Sequence, residues 1–455
     1  MTSPAIMIER ILAADVKVVA VVTGGGVSVA ESLFRSGSSS TMLQFSVPYS
    51  RASLQSYLSL IPSESTLKCC SEETAERMAF AAWKQATDIM RKEAIENDVQ
   101  NAMAVPSALK RFRTCLGIAC TAGLATNYVR KGPHECFMSV CRACFVSRSN
   151  TYLRPQCETY HLQLDKSLGR SRTEEDQIVG HWLVYLLAKA ADVDLKTCQA
   201  FHDELKLAQA GSDTLLNVTA DEGDNDPLDG ICSGKVNRLS SVAFLPSTPK
   251  DDTGATTIAA QEFHFRGLVL PGSFNPLHRG HIDLARVAQQ LMESRLKVKV
   301  PVAFELAVAN ADKGVIPSST VSTRVAQFLH GNTLGLDAWP VLVTNAALFG
   351  QKAELLPGCT FIIGADTAVR LVDKKYYDMD EYKMVLALDH IARHECSFVV
   401  AGRFDNKVEN RYITASEVLE NHVPRVFRHL FIPLPESAFR NDISSTKIRR
   451  QMATS

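Results

Sequence analysis

Two histidines three positions apart, His278 and His281, close the run Leu270-Pro271-Gly272-Ser273-Phe274-Asn275-Pro276-Leu277-His278-Arg279-Gly280-His281, which follows an apolar stretch and opens an amphipathic one. A strand running into a helix start suits phosphate chemistry. Gly272 lets backbone approach backbone, Gly280 does the same where the chain turns into the helix, and the helix start supplies free N–H groups and positive potential. Both imidazoles can face one anion there. In a transfer at phosphorus, charge gathers on the non-bridging oxygens, and donors fixed in advance stabilise it more than they stabilise the ground state. Near the other end, Ile443-Ser444-Ser445-Thr446-Lys447-Ile448-Arg449-Arg450 offers a second helix start capped by Ser or Thr, with Arg449 as a planar cation that grips phosphate oxygens in two places. Histidines at one helix start and arginine at another can hold a triphosphate from both sides.

These groups need a scaffold, and the pattern around them predicts one. From Phe265 onward, short apolar runs at Arg266–Leu270, Thr360–Ile363, Ser397–Ala401 and Leu430–Pro433 alternate with helical stretches such as Ile282–Glu293. A parallel sheet wrapped by helices is the economical solution. The first 207 residues read the same way: a buried strand at Val16–Val22 running into Thr23-Gly24-Gly25-Gly26, a helix over Glu72–Lys92 with Ser71 and Thr74 at its start, strands at Cys115–Cys120 and Cys136–Phe145, and a buried helix at His181–Ala191. Periodicity is lost over 208–262, where Asp221, Glu222, Asp224, Asp226 and Asp229 cluster, which predicts a flexible acidic and polar linker rather than a calcium loop. The expected organisation is therefore an α/β chain of two domains, 1–207 and 263–455, joined by that linker.

Composition limits the partners. Lys plus Arg equals Asp plus Glu at 49 each, and 46% of the chain is hydrophobic, which fits a soluble globular protein acting on small molecules rather than one binding nucleic acid or a membrane surface. No uncharged apolar run reaches 18 residues, and Glu9, Arg10, Asp15 and Lys17 interrupt any signal-peptide core. Twelve irregularly spaced cysteines read as free thiols in a reducing, cytoplasmic setting, and the lone CxxC spacing of Cys141 and Cys144, with Cys136 nearby, predicts buried thiols rather than a zinc site. The oligomeric state is left open, a homo-oligomer included.

The passage around His278 and the one around Arg449, over roughly 265–451, resemble the HxGH nucleotidyltransferase superfamily, and the second resembles the ISSTxIR signature of the nicotinamide or nicotinic acid mononucleotide adenylyltransferases. The resemblance implies a Rossmann-like parallel sheet, ATP as substrate with Mg2+ arriving on its phosphates, and a phosphate-bearing acceptor. It assigns His278, His281 and Arg449 to catalysis, Gly272, Ser273, Phe274 and Gly280 to the ATP site, and Ser445 and Thr446 to the β and γ phosphates. Phe361-Ile362-Ile363-Gly364-Ala365-Asp366-Thr367 is similar to the family's strand ending in Gly-Ala-Asp, which places Gly364 and Asp366 against the nucleotide. Asp366 then faces acceptor or ribose, or else caps the next helix. Lys313 and Arg324 fall where the family carries basic residues, and Trp339 falls where it carries an aromatic that stacks on a pyridine ring, the alternative being a core residue.

Residues 16–190 resemble the C-terminal domain of CinA, the nicotinamide mononucleotide deamidase family, through Thr23-Gly24-Gly25, Ser36-Gly37-Ser38-Ser39, Pro48-Tyr49-Ser50, Ser71 to Ala79 and Leu116 to Gly123. The family's Glu-Ser-Cys before Thr-Gly-Gly is Ala20-Val21-Val22 here, and its lysine after Tyr-Ser falls on Leu54. Without a hydroxyl nucleophile and a base to take its proton, deamidation is not expected. Glu31-Ser32 lies on the wrong side of the glycines to replace them. A structural or ligand-binding role follows, with Thr23, Gly24 and Tyr49 as remnants of a mononucleotide pocket. For the chain as a whole, the expectation is AMP transfer from ATP to a pyridine mononucleotide. The rivals are a cytidylyltransferase or another adenylyltransferase using a different phosphate acceptor, and a nucleotide sensor or scaffold without turnover.

Overall fold

The computed structural model describes residues 4–34, 37–58, 68–98, 104–128, 130–145, 152–219, 226–233, 239–245, 258–310, 314–329, 339–405 and 411–440. The chain divides into two compact units. The first comprises Met1–Asn97, Leu109–Phe145 and Arg154–Gly223, and the second Asp98–Ala108, Val146–Leu153 and Asp224–Ser455.

In the first unit, β1 (Lys17–Thr23) is an unbroken apolar run buried on both faces, the mark of a central parallel strand. It lies between β2 (Met42–Ser46) and β3 (Cys115–Gly123) and runs parallel to both. Antiparallel β4 (His134–Phe145) follows β3, and the sheet continues from Arg154 onward through β5 (Tyr152–Leu164) to β6 (Thr214–Asn217). Helices Pro4–Ala13 and Arg172–Ala190 bury Met7, Ile8, Ile11, Trp182, Leu183 and Leu187 in its core. Helix Glu72–Asn97 starts where Ser71 Oγ accepts from the Thr74 N–H at 3.3 Å, as its sequence implies.

The second unit contains β7 (Ser241–Leu245), β8 (Ile258–Gln261), β9 (Leu268–Pro271), β10 (Val302–Ala307), β13 (Val341–Thr344), β14 (Thr360–Gly364), β15 (Ser397–Ala401) and β18 (Phe431–Pro433). Two small hairpins, β11 (Ala309–Asn310) with β12 (Gly314–Val315) and β16 (Arg403–Asp405) with β17 (Arg411–Ile413), branch from it. The strand order is β18-β15-β14-β9-β10-β13, all parallel, after which β7 pairs antiparallel with β13 and β8 antiparallel with β7. The chain builds β9, β10 and β13 outward to one side, then returns to lay β14, β15 and β18 on the other. The winding reverses between β9 and β14, and in such sheets a crevice opens at the carboxyl ends of the strands where it does so.

The region 208–262 differs from the expected linker. Its described residues hold β6, the helix Pro227–Cys232 capped by Asp226 (which accepts from the Leu228 N–H at 2.9 Å), β7 and β8. Strands of four or five residues are too short for periodicity to register, and they gain their order by pairing with strands distant in sequence. Asp221, Glu222 and Asp224 lie outside the described residues. All twelve cysteines are free thiols, and no helix among the described residues is long and apolar enough to cross a membrane.

Candidate active site

At the end of β9 the Gly272 N–H donates to the carbonyl of Glu305 on β10 at 2.9 Å, and a Cβ at 272 would meet the Phe274 ring at 2.7 Å. The glycine thus serves close packing. Phe274 takes a positive φ of 44° and turns its ring inward, edge-on to Phe304 and Phe328. Across the loop sits Gln327, from helix Ser318–Leu329. Its Nε2 donates to the Phe274 carbonyl at 2.9 Å and its Oε1 accepts from the Leu277 N–H at 2.8 Å, so one amide fixes both arms of the turn. A glutamine on a helix carries no local sign of such a role, and sequence reasoning missed it.

The chain then enters helix Arg279–Leu296 with His278 as its N-cap. The His278 N–H points at His281 Nδ1, 3.3 Å away, the two rings stack at 3.7 Å, and Phe274 lies edge-on to His281. With Nδ1 accepting, a neutral His281 carries its proton on Nε2. Burial, reinforced by the neighbouring His278, pulls the His281 pKa down to about 3, and burial lowers that of His278 as well. His278 Nδ1 is buried with no hydrogen-bond partner among the described residues. Two neutral imidazoles therefore stand at the start of an 18-residue helix whose first N–H groups lack intrahelical acceptors.

A cavity of about 750 Å³ opens at the carboxyl ends of β9, β10 and β14, where the winding reverses. Gly272, Ser273, His281 and Gly364, four of the residues expected at the nucleotide, line it together. The others fall elsewhere. Phe274 and Gly280 are buried beneath the loop and build it rather than line it. Asp366, in the first turn after Gly364, is exposed, and its Oδ1 accepts from Arg403 Nε at 2.9 Å. Trp339 is partly buried and packs against the core, its ring 5.7 Å from that of Phe304. Arg324 lies on the helix that carries Gln327. Lys313, Ser445, Thr446 and Arg449 lie outside the described residues.

The cavity also holds a group that no motif signals. Glu305 and Lys352, 1% and 4% exposed, face each other in its wall, with Lys352 Nζ donating to Glu305 Oε1 at 2.6 Å and to the Ala346 carbonyl at 2.8 Å. Thr344 Oγ1 donates to the same Oε1 at 2.5 Å.

The loop after β1 in the first unit is built differently. Thr23 Oγ1 donates to the Pro48 carbonyl at 2.9 Å, and Gly24 has φ +71°, where a Cβ would lie 2.0 Å from the Ala122 carbonyl oxygen. Beyond it, Asp176 Oδ1 accepts from the Gly26 and Val27 N–H groups at 2.7 and 3.3 Å, and Oδ2 from the Ser28 N–H at 2.8 Å. A carboxylate of the protein already occupies the amides that a phosphate would use. Tyr49 is 73% exposed.

The parallel order with its reversal, the glycine-bearing loop and the histidine-started helix define the second unit as a Rossmann-like α/β domain with a cavity at its switch point. Residues 269–451 match the model of the family described as cytidylyltransferase-like, so the C-terminal part of the chain carries a domain of the nucleotidyltransferase type. No curated protein matches the chain. Solved structures similar to it include a CinA-superfamily protein from Klebsiella pneumoniae 700603, at 10% identity over 42% of this chain and 98% of that one with a TM-score of 0.29. Another is the competence/damage inducible protein CihA from Agrobacterium tumefaciens, at 14% identity over 44% and 95% with a TM-score of 0.28.

Proposed function

We propose that the second unit transfers AMP from ATP to the phosphate of a pyridine mononucleotide, releasing pyrophosphate and forming a dinucleotide. The observation that carries this reading is His281: a neutral imidazole with Nδ1 turned to its own loop, placed in the wall of the switch-point cavity at a helix start. Its Nε2–H is a donor held in advance for charge that develops on a phosphate oxygen. Being uncharged, it gives up less hydration when water leaves than an ammonium would, and it gains most as the transition state concentrates charge. The acceptor phosphate is itself the nucleophile, so no general base is needed and positioning supplies much of the acceleration. Magnesium enters as MgATP, ligated by phosphate oxygens and water. The pyridine acceptor rests on the likeness of Ser444 to Arg449 to the mononucleotide adenylyltransferases.

The description of the matching family favours a second reading, in which CTP is the donor. Pyrophosphate release by the full chain, measured with ATP or CTP against nicotinamide mononucleotide, nicotinic acid mononucleotide and phosphopantetheine, separates the two. Release with ATP and a pyridine mononucleotide, lowered by about 10²–10³-fold in His281→Ala, is the expected result. Release with CTP alone overturns the donor assignment, and none with any pair leaves a nucleotide-binding domain without turnover.

A further inference from the structure

The Glu305–Lys352 pair has a geometry that salt bridging leaves half used. Oε1 of Glu305 takes both the Lys352 ammonium and the Thr344 hydroxyl, while Oε2 has no hydrogen-bond partner among the described residues. Lys352 Nζ has three N–H groups and donates two, to Glu305 and to Ala346. Both side chains are more than nine-tenths buried, and both line the cavity. Glu305 is the register partner of Pro271, one residue before Gly272, and its carbonyl holds the Gly272 N–H, so the pair stands beside the histidine loop. Oε2 is thus an acceptor not taken up by the described residues, on a side chain that lines the cavity, and a ligand N–H can supply its donor.

We infer that Glu305 and Lys352 form a specificity element that reads an amide-like edge of the bound ligand, one N–H donor beside one acceptor. Glu305 Oε2 accepts the ligand N–H and Lys352 donates its third proton to the neighbouring acceptor. This deepens the proposed function and rests on it. Two sources present such an edge in this reaction: the carboxamide of a nicotinamide-type acceptor, and the amino edge of an aminated base such as adenine. A ligand carboxylate in the same place sets two negative charges together in a low-dielectric wall and is rejected, because like charges repel far more strongly there than in water.

The test uses the full-length protein and two arms. Calorimetric titration with nicotinamide mononucleotide and with nicotinic acid mononucleotide reads the acceptor source, and titration with ATP and with purine riboside triphosphate, which keeps N1 and carries hydrogen in place of the amine, reads the base source. The expected result is at least a tenfold preference of the wild-type protein for the NH2-bearing member of one pair, falling to within threefold in Glu305→Gln, whose side-chain amide can donate to a carboxylate. Because Glu305→Gln leaves Lys352 without its counter-charge, Glu305→Gln/Lys352→Met is measured beside it. The wild-type preference needs no variant at all. Equal wild-type binding within both pairs, or a preference that survives in both variants, overturns the inference. Pyrophosphate assays on the same samples separate this from failure of the parent reading, since the binding preference stands whether or not turnover is seen.

Discussion

Two loops in this chain begin alike and end differently. Each leaves a strand flanked on both sides by parallel neighbours, β1 between β2 and β3, β9 between β10 and β14, and each carries glycine into a helix start. After β1, the amides of Gly26, Val27 and Ser28 are taken by Asp176, about 150 residues away in sequence, and only a five-residue helix follows, Val29–Leu33. After β9, the long-range partner is Gln327, which holds the loop by two backbone contacts, while an 18-residue helix and the His281 ring are left facing a cavity. A glycine turn between strand and helix offers an anion site only if the rest of the chain does not fill it. In the first unit an internal carboxylate does so, and in the second a neutral amide braces the loop from the side.

The largest effect expected from this contrast is on turnover. His281→Ala removes the donor and should lower pyrophosphate release by about 10²–10³-fold. Thr23→Ala, in the closed loop, should leave it within twofold. A comparable loss from both substitutions would abolish the distinction between the loops.

Next in size is Asp176→Ala, which strips three backbone N–H groups of their acceptor and should destabilise the first unit by about 2 kcal/mol, read as a lower urea midpoint at unchanged slope. Vacating the amides also turns the first loop toward the second. Millimolar inorganic phosphate should then raise the melting temperature of the variant and not that of the wild-type protein. No phosphate response in the variant would show that something other than Asp176 keeps this loop closed.

How much of this could be read from the residues follows from what each feature depends on. The central strands were legible because a run such as Val18–Val22 or Ser397–Ala401 must be buried on both faces wherever it goes. The histidine loop was legible because strand, glycine, imidazoles and helix start are consecutive. Asp176, Gln327 and the Glu305–Lys352 pair were not: each acts through one contact made by the tertiary fold, and an Asp or Gln on a helix face looks the same in sequence whether solvated or clamped. β7 and β8 were lost in the polar stretch for the same reason, since pairing with β13 and with each other orders them. Trp339, which alignment alone placed at a ligand, packs partly buried against Phe304 at the edge of the core.

Gln327→Ala tests the bracing with a smaller effect. Losing both of its contacts to the loop should lower kcat/KM by about tenfold, equivalent to about 1.4 kcal/mol, because the loop must then be ordered as substrate binds. The melting temperature should move little. Gln327→Glu keeps the acceptor for the Leu277 N–H and loses the donor to Phe274, and should fall between the two. If both variants match the wild-type protein in kcat/KM, the amide is packing and nothing more.

The smallest expected effect is none, and it bears on the chemistry most directly. His281 accepts the His278 N–H at Nδ1, and burial holds its pKa near 3, so lowering the pH from 8 to 5 should leave it uncharged with its proton on Nε2. An exposed imidazole titrates through that interval. Nitrogen-15 imidazole shifts of the labelled protein report both properties, with His281 identified by its disappearance in His281→Asn, whose side-chain oxygen can still accept from the His278 N–H. A pH-invariant Nε2–H signal places a neutral donor before the phosphate. A ring that titrates near 6.5, or that carries its proton on Nδ1, would mean that the open loop meets its anion with a cation or with no donor at all, and the difference from the closed loop would then be one of charge rather than of a donor held in place.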